Sequence, residues 1–509
     1  MFRSTSLPRG LLVYGLCVPL ALLLGYLLTT PFSFGSYATV GLVLMVLAFP
    51  VLLRWHHPLL IFTWNAYFIV FFLPGQPALV FVMAACSFGI SLLHHTLRRE
   101  GTFFPVPSVS WSLIFLGFVI LITARLTGGI GAHSLGQETW GAKRYLGVVG
   151  AIIGYFALAV QRVPRERAQL YARVFVLSGI TAAISDLIYA IGPSFYFLFA
   201  LFPAQLASSQ AYTQDTFFRL SGVGFSAQSV AFFLMMRYGV RGLFDPGKPW
   251  RTLSFLVASL VSLLGGYRSA LILGVLVFSV QFFYEGLLRT RLTLVFVLLF
   301  ALLGSGLVAF SDRLPLSVQR SLSFLPVKVD PSTKLDAQST LDWRLQIWKI
   351  VFPEIPKYLW VGKGFAYSGV DSYLTQEAIQ RGMVAAYEET LISGNYHSGI
   401  LTLIIPFGLW GTIGFVWFCL AGLKVLYRNY RSGDSHLRAI NTFLLSLFVG
   451  RLIFYTIFYG QFDQDLMIFT GIVGLSIALN GASSRPDLEE TQTAFSKSET
   501  ADEVQAQRV

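Results

Sequence analysis

The sequence predicts an all-α protein that crosses a membrane many times. Of its 509 residues, 55% are hydrophobic and only 12% are charged, and the mean hydropathy is +0.66. Soluble domains carry about 25% charged residues, so an ordinary soluble protein is excluded. Apolar stretches of about 20 residues, long enough to cross a bilayer core, recur along the chain, and we expect a bundle of about fourteen transmembrane helices.

Hydropathy divides the chain around one long hydrophilic stretch. We expect transmembrane helices 1 to 11 within residues 1–310, a large loop at 311–397, helices 12 to 14 within 398–480 and a disordered polar tail at 481–509. The individual spans are predicted at residues 11–30, 35–53, 58–73, 77–93, 109–126, 145–161, 170–191, 222–238, 252–266, 269–287, 292–310, 398–423, 437–458 and 464–480.

The basic residues orient this bundle. Cytoplasmic loops of membrane proteins are enriched in Lys and Arg, and an N-terminus in the cytoplasm places nearly all the basic loops on that side. An even number of helices then returns the C-terminus to the cytoplasm, and the loop at 311–397 lies on the opposite, outer face. This topology accounts for most of the net charge of +12, so we expect no nucleic-acid partner.

The large loop is predicted to contain amphipathic helices that lie flat over the bundle, apolar side down. Ser339 and Thr340 resemble a helix N-cap, and the helix after them is expected to end at Pro353. A second helix is expected to begin at Asp371 and run toward Gly394. The apolar positions that follow the first cap at helical spacing are Leu341, Leu345, Trp348 and Phe352.

Three arginines are exceptions to the charge distribution because they lie near the outer face. Arg219 precedes the eighth span, Arg268 follows a Gly-Gly turn between the ninth and tenth spans, and Arg344 lies on the first loop helix. Guanidinium groups donate paired, permanently charged hydrogen bonds that suit phosphate. The alternative is an ion pair between each arginine and an acidic neighbour, for example Asp215, Asp312 or Asp342.

Arg451 lies within the thirteenth span, about 10 Å below the outer boundary at 1.5 Å per residue. A charge at that depth is paired or faces a wet cavity. Asp186 lies at a similar depth, and Asp463 and Asp465 lie just outside the span. A structural ion pair is therefore the favoured interpretation, with a place in the site as the alternative.

His397 stands where the large loop meets the twelfth span. A neutral imidazole accepts a proton from a hydroxyl at physiological pH, as a transferase requires. A lone histidine at such a boundary more often caps a helix or binds a carbonyl group. The segments on either side of His397 favour a functional role, because it lies between a structured loop and a helix in which Gly408 and Gly411 permit close packing.

The spacing around this histidine resembles a known family. His397 and Ser398 are followed by nine residues and then by a Gly-x-x-Gly-Thr segment that begins at Gly408 and contains Gly411. This is the motif of the bacterial O-antigen ligases. Two further segments are similar to the same ligase and polymerase superfamily, namely Arg268 with Ile272 in place of the usual Leu, and the loop residues Arg344, Trp348, Pro356, Gly362 and Gly364.

The resemblance implies a multi-pass protein of the bacterial inner membrane whose active site faces the periplasm. Its donor would be a glycan on undecaprenyl pyrophosphate, and its acceptor a hydroxyl on a glycolipid or glycan. Arg219, Arg268 and Arg344 would bind the pyrophosphate, and His397 would be the base. The family uses no metal or cofactor, and the sequence has no ligand-spaced His/Cys cluster and no Walker-type loop.

Alternatives remain at this stage. The histidine motif favours a ligase, whereas the chain length and extra helices favour a polymerase that joins lipid-linked repeat units. A flippase or transporter of the same glycolipids would carry its charged groups at the bilayer midplane, but here the candidate groups gather at one face. The sequence does not indicate an oligomeric state.

Overall fold

Helices make up nearly all of the described fold. The computed structural model describes residues 17–22, 25–26, 34–73, 75–98, 104–131, 139–207, 219–323, 328–385 and 387–481. The helices before the large loop are α1 (Phe34–Thr63), α2 (Leu79–Arg98), α3 (Pro107–Leu126), α4 (Ala142–Ala159), α5 (Ala168–Leu177), α6 (Ala183–Ile191), α7 (Ser221–Leu243), α8 (Pro249–Ser262), α9 (Arg268–Tyr284) and α10 (Arg291–Ala309).

The large loop is itself helical, and three long helices follow it. The loop helices are α11 (Leu316–Leu322), α12 (Pro331–Val351), α13 (Ile355–Tyr358), α14 (Gly369–Gln380) and α15 (Tyr387–Ser393), and the last three are α16 (Leu401–Ser432), α17 (Arg438–Ile457) and α18 (Phe462–Asn480). The described residues contain one small sheet, in which β1 (Thr139–Trp140) pairs antiparallel with β2 (Tyr367–Ser368).

The structure confirms an all-α, multi-pass membrane protein. Within the described part of the chain, nine helices are long and apolar enough to cross a membrane, and α8 and α9 are shorter apolar helices. The expected number of about fourteen spans is not confirmed. The spans are Val46–Thr63, Leu79–Leu97, Pro107–Leu126, Ala142–Ala159, Arg165–Ile191, Arg291–Ala309, Leu401–Ser432, Ser435–Ile457 and Phe462–Asn480.

The prediction of separate spans at 35–53 and 58–73 is wrong. Helix α1 continues to Thr63, and the residues after it form turns instead of a helix. The polar run that suggested a boundary contains His56 and His57, but both are buried and hydrogen-bonded to neighbouring helices. These polar residues therefore lie in the middle of a helix and do not mark its end.

Two predictions within the large loop need correction. Helix α12 begins at Pro331, so Ser339 and Thr340 lie inside it and do not cap it. The second predicted helix is two helices, because α14 ends before Gly382, whose φ of +68° is left-handed, and α15 begins beyond it. The predicted disordered tail at 481–509 lies outside the described residues, except for its first residue.

A break in α16 fastens the large loop to the bundle. At Gly408 the backbone leaves the helical conformation, with φ +60° and ψ −156°. The freed N–H of Leu409 donates to the carbonyl oxygen of Leu359 at 2.6 Å, and the N–H of Gly364 donates to the carbonyl oxygen of Pro406 at 2.9 Å. A Cβ atom on Gly408 would lie 2.5 Å from the Leu359 oxygen, so this position requires glycine.

Candidate functional site

Four arginine side chains line one cavity of about 410 Å³. Loop helices α11 and α12 form part of its wall, and the remainder comes from residue 219, the start of α9 and the chain around the end of α17. Among the described residues, no acidic side chain lines it. The arginines are Arg219, Arg268, Arg320 and Arg344, and the other lining residues are Tyr267, Ser269, Ile272, Leu341, Phe454, Phe458 and Tyr459. The cavity is thus cationic on one part of its wall and apolar on another.

The turn before α9 presents Arg268 to this cavity. Gly266 has a left-handed φ of +70°, and α9 begins two residues later with Arg268. A Cβ atom on Gly266 would lie 3.4 Å from Cγ of Arg219, and the N–H of Leu220 donates to the carbonyl oxygen of Leu264 at 3.1 Å. The chain before α7 therefore runs along the turn, which brings Arg219 and Arg268 to the same wall.

Arg320 is a cavity residue that sequence reasoning missed. Its side chain is 9% exposed, and its Nη1 donates to the carbonyl oxygen of Gly266 at 2.9 Å. Helix α11 also packs its Val318 and Leu322 against Leu263. The sequence does show that Arg320 is a further basic residue on the predicted outer face. The same is true of Arg313, which is exposed, so charge alone does not identify which of the two lines the cavity.

Arg344 enters the cavity from α12 without an acidic partner among the described residues. It forms no ion pair with Asp312 or Asp342, and its buried Nε has no hydrogen-bond partner there. Burial lowers the pKa of Arg344, and the neighbouring charge of Arg320 acts in the same direction. Arginine nevertheless keeps its proton. The predicted ion pair with Asp312 or Asp342 is therefore wrong for Arg344. The third suggested partner, Asp215, lies outside the described residues.

His397 contacts Tyr459, which lines the cavity, but is not itself a lining residue. Its ring centre is 4.8 Å from that of Trp343 on α12 and 5.5 Å from that of Tyr459. Nδ1 is buried and has no hydrogen-bond partner among the described residues. Burial, and then the charge of Arg344, lower the pKa of His397 to about 4. The imidazole is therefore neutral at physiological pH.

The backbone holds His397 in an unusual conformation. Its φ of +52° is left-handed, which L side chains adopt at a cost of about 1–2 kcal/mol. Trp348 Nε1 donates to the carbonyl oxygen of Tyr396 at 2.9 Å on one side of it. Beyond it, the hydroxyl of Tyr455 donates to the carbonyl oxygen of Gly399 at 2.6 Å. Hydrogen bonds on both sides of His397 thus hold the turn in this conformation, as is frequent at functional positions.

The other motif residues support the start of α16. The carbonyl oxygen of Ser398 accepts from the N–H of Thr402 at 2.9 Å. A Cβ atom on Gly411 would lie 2.3 Å from Cβ of Phe407, which leaves no room for a larger residue. Packing therefore explains both glycines of the motif. Gly408 allows the large loop to dock, and Gly411 lies against Phe407.

Arg451 is ion-paired inside the bundle. Its Nε and Nη2 lie 2.8 Å and 2.6 Å from Oδ1 of Asp465, which is 2% exposed. Asp186 has another contact, accepting from the N–H of Val223 at 2.8 Å at the start of α7. The expected ion pair is present, and Asp465 is its acidic member.

The chemistry available in the cavity is anion binding by guanidinium groups beside a neutral imidazole. In the described part of the chain, no group of three or more His, Cys, Asp or Glu side chains is placed to hold a metal ion. Guanidinium groups have no acceptor for a metal. The apolar wall formed by Phe454 and Phe458 can contact a lipid chain.

Comparison with known proteins agrees with the motif. Residues 253–416 match the family model described as O-antigen ligase. The matched segment runs from α8 into α16 and contains Arg268, Arg320, Arg344 and His397, whereas Arg219 precedes it. No curated protein matches the chain. The match confirms the resemblance to the O-antigen ligase superfamily and supports a membrane enzyme of the ligase or polymerase type that acts in polysaccharide biosynthesis.

Proposed function

We propose that this O-antigen ligase-like protein moves a glycan from undecaprenyl pyrophosphate to an acceptor hydroxyl at the periplasmic face of the inner membrane. The observation that carries the proposal is the arginine-lined cavity beside His397. Four guanidinium groups with an apolar wall match a lipid pyrophosphate in both charge and polarity. The periplasmic side of the site is inferred from the basic loops, which the positive-inside rule assigns to the cytoplasm.

Arg219, Arg268 and Arg344 bind the pyrophosphate in this proposal, and Arg320 contributes a fourth charge. Fixed cations stabilise the negative charge that develops on a pyrophosphate leaving group. Divalent metal ions perform this task in many phosphate sites, and here the arginines supply the charge. Transfer is therefore expected to be independent of metal ions.

His397 acts as the general base on the acceptor. It takes the proton of the acceptor hydroxyl as that oxygen bonds to the anomeric carbon of the donor sugar. The bond between this carbon and the phosphate oxygen breaks, and its electron pair leaves with undecaprenyl pyrophosphate. Because Nδ1 is buried, Nε2 is the ring nitrogen that an acceptor reaches. His397 must be neutral for this role, which agrees with its lowered pKa.

Reconstitution tests the proposal and its alternatives. Purified protein in proteoliposomes is supplied with a labelled lipid-linked oligosaccharide, with EDTA, and with or without a glycolipid acceptor. Glycan on the new acceptor supports a ligase, and longer lipid-linked chains identify a polymerase. Donor that crosses the bilayer without a covalent product identifies a transporter and contradicts the proposal, as does activity that EDTA removes.

A further inference from the structure

We propose that Arg344 makes the basicity of His397 depend on the donor. Before the donor binds, the guanidinium charge opposes protonation of the imidazole. When the donor's pyrophosphate occupies the cavity, it cancels that charge, and His397 then accepts the acceptor's proton more readily. The inference rests on the proposed function and adds an order to it, with donor binding before acceptor activation. Arg344 is thereby a positioning residue as well as a phosphate ligand.

A shared aromatic ring connects the two groups. Cζ of Arg344 lies 5.5 Å from the centre of the Tyr459 ring, and the His397 ring centre lies 5.5 Å from the same point. The guanidinium carbon and the imidazole centre are therefore at most about twice this distance apart. Helix α12 also contacts His397 directly, because Trp343, adjacent to Arg344, packs on its ring. Arg344 also lines the cavity, whereas His397 does not.

Among the described residues, Arg344 is the charged group that faces His397 from the elements packed against it. On α12 its neighbour Trp343 is uncharged. In the turn between α17 and α18, burial raises the pKa of Tyr459 to about 12, so its phenol stays neutral. Arg451, farther along α17, is neutralised by Asp465. On the histidine's own segment, burial raises the pKa of Tyr396 as well.

Arg344 has no acidic partner among the described residues. Its Nε is buried without a hydrogen-bond partner among the described residues, and Arg320 lines the same cavity. A partly buried charge with no acidic partner among the described residues is costly to hold, so an entering anion is attracted to this position. One unit charge at roughly 10 Å in a protein environment shifts a pKa by about one unit. Cancelling the Arg344 charge is expected to raise the His397 pKa by about this amount.

The change matters because His397 is a weak base before the donor binds. Burial and the charge of Arg344 lower the His397 pKa to about 4, and a base works best when its pKa approaches the working pH. Donor binding moves His397 in that direction. Catalytic power is thus expected to increase when the arginines have bound the leaving group.

Titration of His397 tests the inference without an activity assay. Histidine-labelled full-length protein in nanodiscs is titrated by NMR with and without inorganic pyrophosphate, and the His397 signal is assigned by its loss in His397→Asn. In the wild-type protein, pyrophosphate is expected to raise the His397 pKa by about one unit. In Arg344→Gln the pKa starts higher and pyrophosphate adds little. The matched control is Arg381→Gln, which removes an exposed arginine paired with Glu377 and is expected to behave as the wild type.

Two results overturn the inference. One is pyrophosphate that binds, as measured by calorimetry, but leaves the His397 titration unchanged, and the other is an Arg344→Gln protein that titrates like the wild type. Absence of pyrophosphate binding contradicts it as well, because the cavity is then no anion site. Failure of the base assignment is distinguishable, since His397→Asn would then transfer glycan normally even if pyrophosphate shifts the wild-type titration.

Discussion

Arg320 donates a hydrogen bond from Nη1 to the carbonyl oxygen of Gly266 at 2.9 Å. This contact joins loop helix α11 to the turn that presents Arg268, so the large loop and the bundle build one cavity between them. The loop is therefore an integral part of the site and not a cover added to it. Loss of a single loop side chain is expected to disturb donor binding.

Replacing Arg320 tests this connection. Arg320→Met removes one positive charge from the cavity and leaves the Gly266 oxygen without its donor, at a cost of about 1–3 kcal/mol. The KM for the lipid-linked donor is expected to rise by about tenfold or more. Arg313→Met, on the exposed part of the same segment, is the matched control. Equal KM values for the two variants would contradict the assignment.

Replacing Gly408 tests the docking of the loop. In Gly408→Ala the new Cβ lies 2.5 Å from the Leu359 oxygen, at a φ of +60° that alanine disfavours by about 1–2 kcal/mol. We expect a lower thermal unfolding temperature, faster proteolysis within residues 359–364 and loss of transfer. Gly274→Ala, on α9 with open space around it, is the control and should unfold like the wild type. Normal stability of Gly408→Ala would show that the loop does not need this break.

The Arg451–Asp465 pair is predicted to be structural. Arg451→Met leaves a carboxylate that is 2% exposed without its counterion, which costs about 3–5 kcal/mol. Adding Asp465→Asn to this variant should restore most of the stability, and transfer per folded molecule should approach the wild-type value. Thermal unfolding and transfer are measured on both proteins. A single variant that is stable but inactive would place Arg451 in the site instead.

Acid is predicted to destabilise the protein through His397. Its folded pKa of about 4 lies below the unfolded value of 6.5, so the unfolded chain binds the extra proton in that window. The contribution of neutral His397 to stability is therefore fully present above pH 6.5 and is lost as the pH falls toward 4. The unfolding temperature of the wild type should fall more steeply over this range than that of His397→Asn. Parallel pH profiles would contradict the lowered pKa.

The sequence predicted the site best where basic residues lie outside the cytoplasmic loops. Arg219, Arg268 and Arg344 stand out in the sequence because cations on the outer face contradict the loop-charge pattern, and the structure brings all three to one cavity. Arg320 is also a cation on the predicted outer face, but so is Arg313. Only tertiary contacts with the turn at Gly266 separate the two.

The helix limits and the role of Gly408 were less predictable. Ser339 resembles an N-cap, but a cap is decided by whether the preceding residues remain helical, and here they do. Gly408 was noted for its spacing from His397. Its φ of +60° and the approach of the Leu359 oxygen depend on a segment distant in sequence, and no local pattern encodes that contact.

Chemical rescue of His397 tests the central claim most directly. His397→Gly suits the φ of +52° and leaves space between Trp343 and Tyr459 for added imidazole. The variant should fold, lose transfer by about 10²–10⁴-fold and regain part of it with imidazole, whereas His397→Asn should be inactive and not rescued. The measurement is the initial rate of glycan transfer from the lipid-linked donor. Transfer at the wild-type rate by either variant would contradict His397 as the base.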